Sequence, residues 1–423
     1  MNSKTWTRII ALALFVALAI PVRLAAQQHI RYTVTDLGTV GGSWGYGLGI
    51  NDRGWVAGKA STPGDVDVHA FFWRNGKITD LGTLGGPNSS PSFSPFSEKG
   101  DVGGGAETST PDPNGESFCN DTTGLTCLPV VWHDGMTTVL PTLGGNNGSA
   151  NQVNNRGQVA GVAETTTLPP PCLGTGVGEP VVWDHGVIQD LHVFPGDLAG
   201  VALAINDNGE AAGFSANCST VHALLWRDGS LTDLGSLGGT AFSLASAINN
   251  RGEIAGQSDL AGDTTFDAFL WRKGVMTDLG TLPGDFSSTA LGINSKTQII
   301  GVSSDINNNP RAFLWERGTM IDLNNLIAAG SPWFVIEVDA INSTGEIVGG
   351  AVDTTTGNTR AVLLTPCDEH HPGVEGCDYS LVDAATVAQS PAPRYVPSGT
   401  QRMLQHRLGL RYHMPGPGAS RPE

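Results

Sequence analysis

The stretch Gly41-Gly42-Ser43-Trp44-Gly45 spells G-x-S-x-G, the pattern around an activated serine. That pattern works when the serine sits on a sharp turn between a strand and a helix, which exposes Oγ to a base. No 3.6-residue apolar period follows Gly45, so Ser43 is read as part of a glycine-rich turn. No residue is assigned a catalytic role. Asp368-Glu369-His370-His371 is the one metal-like grouping. Adjacent histidines do not share a face, and no calcium-loop pattern occurs, so no metal ligand is assigned. No cofactor is expected, with a structural calcium on an acidic surface as the one exception the composition admits. Asp36, Asp80, Asp190, Asp233, Asp278 and Asp322 recur before a leucine. One carboxylate per repeated phrase suits a turn whose N–H groups it accepts. Trp73, Trp132, Trp183, Trp226, Trp271 and Trp315 could form an aromatic platform. They sit inside apolar runs such as AFLW, which reads as packing.

These residues belong to a repeat. The phrase I-N-x-x-G appears as INDRG at 50, VNNRG at 153, INDNG at 205, INNRG at 248, INSKT at 293 and INSTG at 341, with a worn copy, FSEKG, at 96. A tryptophan run follows each, and Leu364 stands at the seventh place, in steps of 43 to 59 residues. Units of about 40–50 residues fall in the range of propeller blades. Each reads as four short strands, with a connection of variable length after the second and a glycine-rich crossover after the fourth. Asn at the first and Gly at the fourth position suit a type I turn. The pairs Asn75-Gly76, Asp134-Gly135 and Asp228-Gly229 read as tight hairpins. Thr297, in place of the turn glycine, implies a different turn. YTVTDLGTVGG at 32–42 is a fourth strand with no preceding three, and the last unit lacks its fourth. The fold expected is all-β: a seven-bladed β-propeller of four-stranded antiparallel blades, closed by the N-terminal strand over the final unit.

DLGTLGG, the I-N-x-x-G turn and His69-Ala70-Phe71 before Trp73 resemble the HAF family of extracellular repeats. The resemblance spans nearly all of residues 32–366, including a terminal unit from DLNNLIAAGSPW to AVLLTP. It implies repeats outside the cell and is silent on activity.

The N-terminus carries Lys4 and Arg8, an apolar core and Leu24-Ala25-Ala26, a secretory signal over 1–26. Removing Lys4, Arg8 and Arg23 takes the formal charge from −17 to −20. Acidic balance without clustered Lys and Arg argues against nucleic acid. No later stretch reaches the apolar length of a membrane span. Six cysteines in an exported chain read as three disulfides, with 15 pairings open. Spacing favours Cys119 with Cys127 and Cys367 with Cys377, which leaves Cys172 with Cys218. The propeller is placed at 27–366, a disulfide loop and extension at 367–383, and a flexible basic tail at 384–423.

The inserts 106–128 and 162–179 fall between second and third strands, on the face that also carries the glycine-rich crossovers. Loops that vary on a fixed frame are where binding concentrates. Candidate contacts there are Trp44, Tyr46, Asn88, Asn146, Asn147, Phe242, Asp285 and Phe286. The expectation is a secreted, periplasmic or surface-located binding protein without catalytic activity, monomeric, taking a protein or polysaccharide partner. The alternatives are a propeller enzyme, a lyase or metal-dependent hydrolase, with its site in a central channel, and a structural surface-array protein. Such an enzyme would aim acids or histidines from several blades at the channel.

Overall fold

The computed structural model describes residues 28–383, apart from 117, 120–122, 168–169, 174–177 and 329. The expected signal at 1–26 and basic tail at 384–423 lie outside the described residues. The described chain is all-β, its helical pieces being two 3₁₀ turns, Pro171–Leu173 and Leu323–Asn325. Each unit folds as one four-stranded antiparallel sheet, strand following strand. In the fifth unit, Gly238–Ile248, Ile254–Leu260, Phe266–Arg272 and Val275–Asp278 pair in succession. One parallel bridge, Val221 to Phe242, links this sheet to the one before it.

First strands such as Ala199–Ile205 and Ser287–Ile293 are buried at every position, whereas fourth strands such as Ser230–Asp233 are mostly exposed. A strand covered on both faces loses the apolar–polar alternation of a half-solvated one. Hence the first strands are short runs of Ala, Gly, Ser, Leu and Ile, small enough for sheets to approach. At Gly58, Gly256 and Gly301 an added Cβ would lie 2.0–2.1 Å from a first-strand carbonyl, so only glycine fits.

The two ends of the chain meet in the last sheet. Tyr32–Asp36 runs antiparallel to Thr359–Pro366, with Val34 opposite Leu364. It completes the sheet begun by Trp333–Ile341 and Ile347–Asp353, covering an edge of unpaired N–H and C=O groups. The three disulfides Cys119–Cys127, Cys172–Cys218 and Cys367–Cys377 form as the spacing favoured. After Cys367 the chain returns to pair Val382–Asp383 with Gln28–His29. No helix of the described residues is long and apolar enough to cross a membrane.

Turn chemistry follows the sequence with one correction. Asp36, Asp80, Asp190, Asp233, Asp278 and Asp322 each accept the N–H two residues on, at 2.7–2.9 Å. Asn75, Asp134 and Asp228 have positive φ ahead of a positive-φ glycine, as a type I′ hairpin requires. Thr297 was expected to change its turn, yet the turn is kept: Thr297 N–H donates to the Asn294 carbonyl at 3.1 Å, with φ at +59°. A β-branched residue in the left-handed region is costly. The Thr297 hydroxyl is anchored to Glu253 Oε2 at 3.0 Å and to the Arg251 guanidinium, which holds the residue there.

Candidate functional site

The I-N-x-x-G asparagines do more than turn the chain. Each uses Oδ1 to accept N–H groups of its own turn; Asn249 takes those of Arg251 and Glu253 at 2.9 and 3.1 Å. Each Nδ2 is then free to reach the neighbouring unit. Asn154 donates to the Asn206 carbonyl (2.9 Å), Asn206 to Asn249 (3.0 Å), Asn249 to Asn294 (3.1 Å), Asn294 to Asn342 (2.9 Å) and Asn342 to Asn51 (3.1 Å). Asn51 continues to the Ser97 carbonyl at 3.3 Å. Ser97 has no amide to pass on, and the Glu98 N–H makes the step instead, to Asn155 Oδ1 at 2.7 Å. The circuit is closed. Only an amide supplies both an acceptor for the turn and donors for the neighbour, so aspartate would serve the turn and break the relay.

The circuit rings a well of about 310 Å³, lined by residues of all seven turns. The position after each of the six asparagines, and after Ser97 in the worn copy, lines it: Asp52, Glu98, Asn155, Asp207, Asn250, Ser295 and Ser343. Three of these are acidic and no lysine, arginine or histidine lines the well. Glu98 Oε1 accepts the Asp52 N–H at 2.8 Å, and Asp52 Oδ1 accepts that of Ser343 at 2.7 Å. Asp207 accepts from Asn155 N and Nδ2 at 2.9 and 3.0 Å, and from Asn250 Nδ2 at 2.8 Å. Burial pushes the Glu98 carboxyl above the usual range. The negative charges of Asp52 and Asp207 add to this, while the Asp52 N–H and Arg53 oppose it. Sequence reasoning missed these acids because they occupy the variable place in the phrase. Their approach across 46 to 155 residues of chain becomes visible only when the units pack together.

The crossover face holds the eight residues expected to make contacts, and none of them lines the well. Tyr46 is buried, its ring filling the space left by Gly350 and lying edge-on to half-buried Trp44 at 6.0 Å. Asn88 is buried between the Val68 N–H and Glu107. Asn147 is fully buried, accepting the Cys127 N–H and donating to Asp112 and Glu164. Asn146 is exposed, with its N–H on Glu164. Phe242 packs against a cluster that includes Leu173, Val201 and Phe214. The Asp285 carboxylate is buried against Arg311 at 2.8 Å, and the Phe286 ring is exposed. The structure thus joins Trp44 to Tyr46 and seats Asn146 and Asn147 on one carboxylate. Ser43 lies on an exposed turn held by Asp65, and His371 is paired with Asp368 at 2.8 Å. Among the described residues, no group of three or more His, Cys, Asp or Glu is arranged to hold a metal ion.

Glu164 is the pin of this face, taking Asn146 N, Asn147 N and Asn147 Nδ2 on one oxygen. Its carboxyl also adjoins that of Glu116, from the insert closed by Cys119–Cys127. Burial, then the adjoining Glu164 carboxyl, pushes Glu116 up to about 8. The folded state therefore holds a proton that the unfolded chain releases near 4.5, and stability falls as pH rises between those values. Thermal unfolding from pH 5 to 9 is expected to show this slope, and Glu116→Gln, neutral throughout, to flatten it. An unchanged slope would remove the shared proton from the account.

No family profile matches the chain, and no curated protein matches it. Solved structures do. An acylaminoacyl peptidase from Pyrococcus horikoshii is 10% identical over 71% of this chain and 49% of that one, with a TM-score of 0.44. A puromycin-hydrolyzing peptidase from Mycobacterium tuberculosis is 13% identical over 78% and 53%, with a TM-score of 0.44. TolB from Acinetobacter baumannii is 11% identical over 80% and 63%, with a TM-score of 0.36. The chain spans about half the length of the two peptidases. The expectation of a non-catalytic binding protein stands corrected by the finding that two of these structures are peptidases.

Proposed function

We propose that the chain is an exported seven-bladed β-propeller enzyme of the hydrolase class, working at its central well. The seven sheets, the closed asparagine circuit and the Val34–Leu364 pairing support the ring. Three disulfides support an oxidising compartment, and the repeat phrase keeps its likeness to the HAF family. The observation that carries the chemistry is the convergence of Asp52, Glu98 and Asp207, from three separate units, on one mouth.

Acid–base hydrolysis needs one carboxyl that keeps its proton and another that takes one from water. Glu98 has the environment for the first role, since burial and two neighbouring carboxylates disfavour its charge. Asp207, oriented by three N–H bonds, is placed for the second. A mouth with acids and amides and no cation suits a polar substrate that is neutral or positively charged. Glu98→Gln is expected to lower turnover about 10²- to 10⁴-fold on whichever chromogenic ester, amide or glycoside the purified chain cleaves. The native rate should hold at higher pH than an ordinary carboxyl allows, then fall. No turnover on any of the three classes, or full activity in the Gln variant, would sink the reading.

A further inference from the structure

We infer that a second site, independent of the well, lies between the first and second units and takes a small ring-bearing carboxylate. It is a cleft of about 300 Å³ on the face of the tight turns. Its apolar lining is Trp55, Phe72, Leu81, Val102 and Trp132, and its charged rim is Arg74, Lys77 and Lys99, with Asp80 and Asp134 also present. Asp80 is paired with His69 at 2.8 Å, and Asp134 lies exposed at the edge, 3.5 Å from His133.

Three observations point to an anion whose ring presents an apolar face. First, Arg74, Lys77 and Lys99 gather at one cleft on a protein of charge −17, and among the described residues none of the three forms an ion pair with a carboxylate. Second, the guanidiniums of Arg53 and Arg74 are held at 4.9 and 5.1 Å from the Trp55 ring centre, which fixes long side chains before a ligand arrives. Phe72 and Gly100 in turn fix Trp55, the ring of Phe72 edge-on at 5.9 Å.

Third, Trp132 carries a buried indole N–H with no acceptor. The equivalent N–H groups of Trp183 and Trp226 donate to the carbonyls of Pro141 and His192, at 2.8 and 2.9 Å. The carbonyl at the matching place for Trp132 belongs to Gly82 and receives the Ser89 hydroxyl at 2.6 Å. A buried donor without a partner costs about 1–3 kcal/mol, and this one belongs to a residue that lines the cleft. A ring seated on Trp55, Phe72 and Trp132, with its carboxylate toward Arg74, Lys77 and Lys99, satisfies the whole lining.

Two sources share this chemistry, an aromatic acid and a uronic acid sugar. The test titrates the full mature chain with phenylacetate and, separately, with a galacturonate trisaccharide, reading tryptophan fluorescence and heat. Saturable binding of either at millimolar concentration or tighter is expected, and the probe that binds identifies the source. Arg74→Ala and Lys99→Ala should each weaken it about tenfold, and Trp132→Phe should weaken it while keeping the fold. Arg272→Ala, remote from the cleft, should leave it unchanged. Failure of both probes to saturate, or binding that survives Arg74→Ala and Lys99→Ala undiminished, overturns the inference. Loss of activity in Glu98→Gln has no bearing on this result, so the two proposals fail separately.

Discussion

Replacing Arg311 with leucine is expected to destabilise the protein by about 3–5 kcal/mol, among the largest losses a single change can cause here. The Arg311 side chain is 2% exposed and lies between two buried carboxylates, Asp285 Oδ2 at 2.8 Å and Asp322 Oδ2 at 3.4 Å. It also donates to the Pro283 carbonyl at 3.0 Å. Leucine removes the cation and leaves two acids facing each other without water. Lysine keeps the charge and loses the planar fork, so Arg311→Lys should recover part of the loss. Burial already holds Asp322 above the usual carboxyl range, against the pull of the Asn324 N–H and Arg311. Without Arg311 its proton is held more firmly, so the folded variant binds more protons than the unfolded chain. The deficit should therefore shrink as pH falls and grow as pH rises. Urea unfolding of both proteins at pH 4 and pH 8 decides the matter. A gap below about 1 kcal/mol at pH 8 would show the triad to be dispensable.

Trp183→Ala should cost a similar amount, about 3–5 kcal/mol. Trp183 is wholly buried among Leu140, Val153, Val159 and Val181, and its indole N–H donates across units to the Pro141 carbonyl. Opposite its ring stands Gly161, where a Cβ would come within 2.6 Å of Trp183 Cζ3. Alanine leaves a cavity that stacked sheets cannot collapse into, because each is held by its own strand pairing and by the asparagine circuit. Trp183→Phe should lose less, since it fills most of the space and forfeits mainly the hydrogen bond. The denaturation midpoint should fall with little change in slope, the sign of lost stability in an otherwise unaltered two-state transition. Retention of the native midpoint by Trp183→Ala would mean that the tryptophans do not join the units.

Much of the frame was legible before any coordinate. Local rules govern it: asparagine and glycine set the turns, aspartate caps the N–H two residues on, and tryptophan in an apolar run packs inward. The unpaired opening strand and the incomplete last unit pointed to each other, and Val34 does lie opposite Leu364. Of the 15 disulfide pairings the sequence left open, the one that forms is the one loop spacing favoured. Thr297 was misread because a local rule was taken as absolute; bonds from the neighbouring unit hold it in a conformation that its own side chain disfavours.

What the chain alone determined is the repeat, the strand order and the kind of turn, all set within a few residues of one another. Tertiary structure decided where the chemistry falls. Asn88, Asn147 and Asp285 are polar crossover residues in sequence, yet buried carboxylates and Arg311 claim them. Asp52, Glu98 and Asp207 are unremarked turn residues in sequence, yet the packing of the units brings them to one cavity. The reason is geometric: a turn is specified by its own dihedrals, whereas burial, charge and the meeting of side chains are set by which units become neighbours.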